Sequence, residues 1–137
     1  LYARCANFGT ASFSGYRVIL VSIAGDLDQW YLTRFDNNVA TTLVGPTVQA
    51  AVDGDSFGIE CIGSAIKTYR KNAGTWAQIQ SATDTTYNAV AQIGLGGIGN
   101  TYRLDNSSGG TVVTAAAARP GHGALLSGVR NQVIQRV

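Results

Sequence analysis

Residues 53–72 read DGDSFGIECIGSAIKTYRKN and contain two runs of strand-forming residues separated by a short turn. In residues 57–62, every second side chain is apolar up to Cys61, as in a strand with one buried face. Gly63-Ser64 suits a two-residue hairpin turn. After it, Ile66 alternates with longer polar or aromatic side chains. The stretch therefore predicts a β-hairpin with strands at residues 57–62 and 65–71.

Outward from this hairpin, short runs rich in Val, Ile, Tyr, Phe, Trp and Thr alternate with Gly, Asp, Asn and Ser. They predict further strands at residues 15–23, 29–36, 40–44, 47–51, 76–79, 92–95 and 101–104, with a polar loop at 81–88. The strand at 15–23 is apolar on both faces, which favours a central place in a sheet. Trp30 is expected in the core. No segment has a sustained helical period, so the sequence predicts an all-β sandwich or barrel.

Composition sets broad limits on the class of protein. The 137 residues suit one domain with a sizeable core, while 13% charged residues and 17 glycines disfavour helical bundles. Two cysteines and one histidine cannot build a structural zinc site. The longest apolar run, residues 18–21, is too short to cross a bilayer, so we expect no membrane insertion. The chain starts with Leu1 rather than Met, which we expect of a processed or incomplete N-terminus.

The charge balance also argues against one class of partner. The net charge is only +2, and no Lys/Arg cluster marks a nucleic-acid-binding face, so we expect no nucleic-acid partner. The distribution is uneven, because residues 106–137 hold Arg119, Arg130 and Arg136 but no acidic residue.

The character of the chain changes after Asn106. Residues 107–110 are expected to form a flexible link, and residues 111–137 a C-terminal arm beyond a β-sandwich domain at 1–106. Leaving the apolar side chains of the arm in water would cost about 25 cal/mol per Å². The arm either folds back on its own domain as strands or a short helix, or docks on another chain through inter-subunit contacts. The side chains concerned are Val112, Val113, Leu125, Leu126, Val129, Val133, Ile134 and Val137.

Several motifs together resemble the concanavalin A-like, or laminin G-like, jelly-roll superfamily. They are the stretch 53–72, Asp84-Thr85-Thr86-Tyr87 and residues 92–96, with Gly15-Tyr16-Arg17 and Trp30-Tyr31-Leu32 similar to an earlier strand pair. The resemblance covers about residues 1–106. It implies an antiparallel jelly-roll sandwich, in which the strands that family members carry before the position of Leu1 are absent and the C-terminal arm is additional.

Catalytic motifs are not apparent. Glucanases of the superfamily carry carboxylates spaced as E-x-D-x-x-E on one strand, whereas Glu60 has no such partner and is expected to be an outward strand residue. His122, flanked by glycines in the arm, is poorly placed to act as a general base. The glycine-rich residues 94–99 lack the following helix of a dinucleotide site. We therefore expect no enzymatic activity.

Two kinds of ligand fit the sequence. Laminin G-like modules often bind calcium through loop carboxylates, and the turn residues Asp26, Asp28, Asp53 and Asp55 could supply them, although Asp also favours turns for its own hydrogen bonds. A glycan could stack on exposed aromatic side chains, for which Trp76, Tyr87 and Tyr102 are the candidates.

Two further features are left open or given little weight. Cys5 and Cys61 are expected in strands and either pair or stay as free thiols. Asn106-Ser107-Ser108 matches a glycosylation sequon of the kind that also occurs by chance.

These observations favour a non-enzymatic structural module on the surface of a larger assembly, such as a phage virion decoration or appendage protein. In this hypothesis the protein partners belong to a homo-oligomer or larger assembly, and the arm makes inter-subunit contacts. The alternative is a lectin-like, glycan-binding module of a secreted or cell-surface protein. Either way, the expected location is extracellular or on a virion, with no cofactor other than possible calcium.

Overall fold

The fold of the chain is all-β in every part that the structure describes. The computed structural model describes residues 1–22, 28–89, 92–96, 105–109 and 134–136, and none of these is helical. They form ten strands: β1 Tyr2–Ala6, β2 Ser14–Val21, β3 Gln29–Asp36, β4 Val39–Val48, β5 Ser56–Ile62, β6 Ala65–Asn72, β7 Thr75–Thr83, β8 Gln92–Gly94, β9 Asp105–Ser108 and β10 Ile134–Arg136.

The strands pair into two antiparallel sheets. Sheet A has the order β4-β3-β2-β1-β8, and sheet B the order β7-β6-β5-β10-β9. Successive strands form a meander in each sheet, β1 to β4 in sheet A and β5 to β7 in sheet B. The prediction of an all-β chain with antiparallel strands is confirmed.

The main core contains side chains from both sheets. Sheet A contributes Ala3, Tyr16, Val18, Trp30 and Leu32, and sheet B contributes Phe57, Ile59 and Ile66. Trp30 is 1% exposed, as expected, and its ring lies 4.8 Å from that of Phe57 between centroids. The buried Gln80 of β7 joins the sheets by donating from Nε2 to the Trp30 carbonyl at 2.9 Å. Burial of alternate side chains from two sheets is what stabilises this arrangement.

The hairpin predicted from residues 53–72 is present. β5 pairs with β6 in continuous register from Ser56↔Lys71 to Ile62↔Ala65, and Gly63-Ser64 forms the turn. The bounds of β3 match the predicted strand at 29–36, and the turn after it contains left-handed Asn37 and Asn38.

The predictions differ most from the structure at three strands. The predicted strands at 40–44 and 47–51 are one strand, β4, which continues through Pro46 because β4 is an edge strand with register shifts against β3. β7 extends to Thr83, through residues expected in a polar loop, because an edge strand tolerates polar side chains that reach water or, like Gln80, find partners. β1 was not among the predicted strands, although Cys5 was expected in one.

The C-terminal residues described by the structure lie in sheet B. Ile134–Arg136 pairs with β5 of the same chain, and β9 pairs with β10. Ser107 and Ser108, expected in a flexible link, belong to β9. The predicted strand at 101–104 and the arm residues Val112, Val113, Leu125, Leu126, Val129, Val133 and Val137 lie outside the described residues.

No helix in the described ranges has the length and apolar character needed to span a bilayer.

Candidate functional site

A network of polar side chains joins sheet A to the segment that follows β7. Arg34 of β3 donates from Nη1 to Asp84 Oδ2 at 2.7 Å and from Nε to Asp36 Oδ2 at 2.8 Å. The Tyr16 hydroxyl donates to Asp84 Oδ1 at 2.7 Å, and the Thr86 N–H donates to the same oxygen at 2.8 Å. Every oxygen of the Asp84 carboxylate therefore has a donor, which fixes this segment against sheet A.

The network changes the pKa values of its members. Burial alone would raise the pKa of Asp84, but hydrogen bonds from Tyr16, Thr86 and Arg34 outweigh it and lower that pKa to about 2. Burial, together with the hydrogen bond to Asp84, raises the pKa of Tyr16 to about 12. Both groups therefore keep one protonation state near neutral pH, which suits a structural role better than acid-base chemistry.

Tyr87, one of the candidate glycan-stacking residues, belongs to this network. Its hydroxyl donates to Asp36 Oδ1 at 2.6 Å, and its ring packs edge-on against Tyr16 with centroids 5.8 Å apart. Arg4 Nη1 donates to the Tyr87 carbonyl at 3.0 Å. Both the ring edge and the hydroxyl are engaged within the chain, so Tyr87 is a weak candidate for stacking on a sugar.

Asp55 is the centre of a second, buried network. It is 1% exposed, and its Oδ2 lies 2.6 Å from Arg70 Nη2 and accepts from Arg70 Nε at 2.7 Å. Asn72 Nδ2 donates to Oδ1 at 2.8 Å, and the Val52 N–H donates to Oδ2 at 2.9 Å. A metal ion that used Asp55 would have to displace these donors.

The other calcium candidates are dispersed. Asp28 is buried, and its Oδ2 accepts from the Ala51 N–H at 2.7 Å, so it closes the connection after β4. Asp53 is exposed, and Asp26 lies outside the described residues. The residues that the structure describes contain no group of three or more His, Cys, Asp or Glu side chains arranged to hold a metal ion.

The two cysteines are free thiols in different environments. Cys5 is 1% exposed and packs with Phe13 and Phe35, whereas Cys61 packs against the main core. Burial raises the pKa of Cys5 to about 12 and that of Cys61 to about 11. Neither thiol forms appreciable thiolate at neutral pH, which makes both poor nucleophiles.

The outer face of sheet B carries aromatic side chains beside polar ones. Ile66 and Thr68 of β6 point into the core, so the alternate positions Lys67, Tyr69 and Lys71 point outward. Register pairs place Trp76 opposite Lys71 and Gln78 opposite Tyr69. Trp76 and Tyr69 are thus diagonal neighbours, with Cα atoms about 7–8 Å apart in such pairs.

Glu60 lies on the same outer face. It is opposite Lys67 in the register and accepts a hydrogen bond from the Tyr69 hydroxyl at 3.0 Å. We name Glu60, Lys67, Tyr69, Lys71, Trp76 and Gln78 the sheet B face. It contains Trp76, the glycan candidate that remains half-exposed, whereas the third candidate, Tyr102, lies outside the described residues.

A cluster of aromatic rings, which the sequence analysis did not identify, lies beside sheet A. Tyr2, Phe8 and Phe13 meet edge to face, with centroids 5.1–5.9 Å apart, and Phe13 also contacts Phe35. Phe8 is 39% exposed. A Cβ placed on Gly94 of β8 would overlap the Phe8 ring, so the glycine lets Phe8 close over that strand. The sequence feature that could have indicated this cluster is the presence of two aromatic residues, Phe8 and Phe13, in an otherwise small and polar connection.

Arg17 lies next to this cluster on β2. Its guanidinium carbon is 4.5 Å from the centroid of Phe35, a cation–π contact, and Tyr2 and Thr33 are its register partners. Its Nε is buried and has no hydrogen-bond partner. We name Tyr2, Phe8, Phe13, Arg17 and Phe35 the sheet A cluster.

Comparisons with known proteins give no match. No protein-family model, no curated protein and no solved structure matches this chain.

Proposed function

We propose that this chain is a non-catalytic interaction module with a concanavalin A-like sandwich fold, which assembles with other protein chains. A virion decoration or appendage protein outside the cell is an example of such a module. The proposal rests chiefly on large apolar side chains exposed on and around sheet A. Phe8, Val21, Val39, Val48 and Ile93 are 38–67% exposed. These side chains lie on the two edge strands β4 and β8, at the end of β2 and in the connection after β1, which are places open to contact with another protein chain.

Four of the described carboxylates support a non-catalytic role. Asp84 and Asp36 bind Arg34, Asp55 binds Arg70, and Asp28 caps a backbone N–H. A carboxylate engaged with a cation or an N–H is a weak general base and a weak nucleophile. In this proposal, the apolar side chains at 111–133 add inter-subunit contacts.

The experiment is the solution molar mass of the chain, measured by light scattering after size exclusion at several concentrations. We expect a defined oligomer. Ile93→Ser, at an exposed position of the sheet A edge, should lower the molar mass, whereas Gln78→Ser on sheet B should not. A wild-type chain that is monomeric at every concentration would overturn the proposal.

The sheet B face favours glycan binding as a second candidate function. Trp76 and Tyr69 lie together on one outer face, with the charged or amide groups of Glu60, Lys71 and Gln78 beside them. Sugars are recognised by stacking on aromatic faces, with polar groups fixing their hydroxyls.

A glycan array, screened with and without calcium, tests this second candidate. We expect a saccharide signal that Trp76→Ala abolishes and that Ile93→Ser, on the other sheet, leaves intact. Calcium dependence would indicate that a bound calcium ion contributes to the recognition of the saccharide. An array without any signal, or a signal that is unchanged in Trp76→Ala, would remove glycan binding at this face.

A further inference from the structure

Arg17 is unlike the other described arginines. Arg4 donates to the carbonyls of Gly63 and Tyr87, Arg34 binds two carboxylates, and Arg70 binds Asp55. Within the described part of the chain, the one attractive contact of the Arg17 side chain is with the Phe35 ring, and its buried Nε lacks an acceptor. A half-buried guanidinium packed on an aromatic ring and without an anion is an incomplete site, because such groups are stabilised by a carboxylate.

The surroundings of Arg17 are rigid and apolar. The connection from β1 to β2 folds back on itself, since the Thr10 N–H donates to the Asn7 carbonyl at 3.1 Å and the Phe13 N–H to the Thr10 carbonyl at 3.3 Å. The Phe13 carbonyl in turn accepts from the Asn38 N–H at 2.7 Å. The sheet A cluster is therefore held in place before any partner arrives, and a partner pays little ordering entropy there.

A complementary feature is present elsewhere on the same chain. Asp53 is exposed and forms no hydrogen bond or ion pair with the described residues, in contrast to Asp28, Asp36, Asp55 and Asp84. Its neighbour Val52 is 50% exposed. The two side chains thus offer an unpaired carboxylate beside apolar surface, which is the counterpart of Arg17 beside Phe8.

The turn that carries Val52 and Asp53 is also rigid. The Asp55 N–H donates to the Val52 carbonyl at 3.1 Å, and Asp55 is fixed by Arg70 and Asn72. The turn is at the end of the sheets where β4 ends and β5 begins, whereas Arg17 is on a face of sheet A. The Val52–Asp53 turn and the sheet A cluster are therefore separate surfaces, and the turn of one copy can contact the cluster of a second copy.

We propose that the Val52–Asp53 turn of one copy docks on the sheet A cluster of a second copy, with the Asp53 carboxylate bound to the Arg17 guanidinium. Val52 then covers Phe8, and the charge pair fixes the register of the contact. Because the two surfaces differ, the contact is heterologous and generates a ring or an open chain of copies. This inference rests on the proposed assembly function and names its partner and its contact residues.

Charge reversal in the full chain tests the contact. We expect Arg17→Glu and Asp53→Arg each to weaken association about tenfold or more in dissociation constant, because like charges then meet. The variant with both changes restores the pair and should recover the wild-type molar mass. An equimolar mixture of the two single variants should also associate, since each supplies the charge that the other needs.

Controls separate folding from association. Asp53→Arg changes an exposed side chain, so its circular dichroism should match the wild type, and so should its thermal midpoint in samples dilute enough for both proteins to be dissociated, even if Arg17→Glu perturbs the packing on Phe35. Lys71→Glu on sheet B is the matched charge reversal and should leave the molar mass unchanged. A wild-type oligomer that survives both single reversals overturns this contact but not the assembly function. A monomeric wild type overturns both.

Discussion

Asp53 and Asp55 lie in one turn, have the same side chain, and differ entirely in surroundings. Asp53 is exposed, whereas both carboxylate oxygens of Asp55 accept hydrogen bonds from Arg70, Asn72 or the Val52 backbone. The sequence marked both as turn carboxylates, since short-range patterns locate a turn well. The sequence could not show which of the two carboxylates is buried, because the partner of Asp55 is Arg70 of β6 and its position depends on the register of the hairpin.

Replacing Asp55 should be far more costly than replacing Asp53. Asp55→Ala leaves the Arg70 guanidinium, whose side chain is 11% exposed, without its anion, so we expect a loss of about 3–5 kcal/mol in the free energy of unfolding. Asp53→Ala should change it by less than about 0.5 kcal/mol, measured at a concentration low enough for the copies to be dissociated. Urea denaturation followed by tryptophan fluorescence measures both, and equal effects would contradict the assignment of Asp55 as the structural carboxylate.

The Asp84 network should make the protein sensitive to acid. The pKa of Asp84 is about 2 when folded, below its usual value of 3.8, so the folded state gains stability from the ionised carboxylate above about pH 4. That gain is lost as the pH falls from about 4 to about 2, because in this range the unfolded chain binds a proton at Asp84 while the folded chain still keeps the carboxylate ionised. Asp84→Asn should be less stable than the wild type at neutral pH and should lose less stability across this window.

Denaturation midpoints measured at several pH values provide the check. Glu60→Gln, outside the network, serves as the control and should follow the wild-type curve. Parallel curves for the wild type and Asp84→Asn would show that the hydrogen bonds to Asp84 do not lower its pKa.

Gly15 allows strands β1 and β2 to lie unusually close together. It is the second residue of β2 and has φ of +141°, beside the irregular register where β1 passes Arg4, itself at φ of +50°. A Cβ at Gly15 would lie 2.9 Å from the Arg4 carbonyl oxygen and 2.9 Å from the Cys5 Cα, both backbone atoms that cannot rotate away. The close approach of β1 and β2 therefore requires glycine here.

Gly15→Ala should weaken the β1–β2 pairing and, with it, the packing of Cys5 on Phe13. We expect about 2–4 kcal/mol of destabilisation from the backbone strain and the overlap combined. Gly54→Ala is the matched control, since Gly54 also has positive φ but no atom within 4 Å of its Cβ position, and should cost about 1 kcal/mol. Thermal unfolding of the two variants compares them, and equal midpoints would mean that strand contact at Gly15 is unimportant.

Sequence patterns predicted the strands whose pairing is local and whose faces alternate cleanly. β3, β5 and β6 have such patterns and end at Asn, Gly or Ser turns, so their bounds were close to those observed. β4 was divided at Gly45-Pro46, since Pro normally ends a strand and its tolerance at a sheet edge depends on the neighbours. The sheet A cluster was missed because its rings come from a loop and two strands.

The two sheets depend on pairs that are distant in the chain. β1 pairs with β8 as well as β2, and β10 lies between β5 and β9. Sequence analysis left open whether the C-terminal arm folds back on its own domain as strands or docks on another chain, and Ile134–Arg136 takes the first course by pairing with β5 of its own chain. Such long-range pairing leaves no local pattern, because its partners are fixed by the completed core rather than by neighbouring residues.

Removing residues 110–137 should therefore destabilise the whole molecule. Without β10, the backbone groups of β5 that face it lose their hydrogen-bond partners, and a central strand becomes an open edge. We expect a lower thermal midpoint and aggregation, whereas deleting only residues 114–122, well short of β10, should be better tolerated. Size exclusion and thermal unfolding of the two deletions decide the matter, and equal stability would contradict a structural role for β10.

The position of β10 also affects how the chain is made. The ribosome synthesises β5, β6 and β7 long before residues 134–136. During this interval sheet B lacks β10, and β5 is an uncovered edge strand. Until the final residues emerge, that edge can recruit a strand from a neighbouring nascent chain. Slow translation between residues 83 and 134 would lengthen this interval, and chaperone binding to the meander of sheet B would protect it.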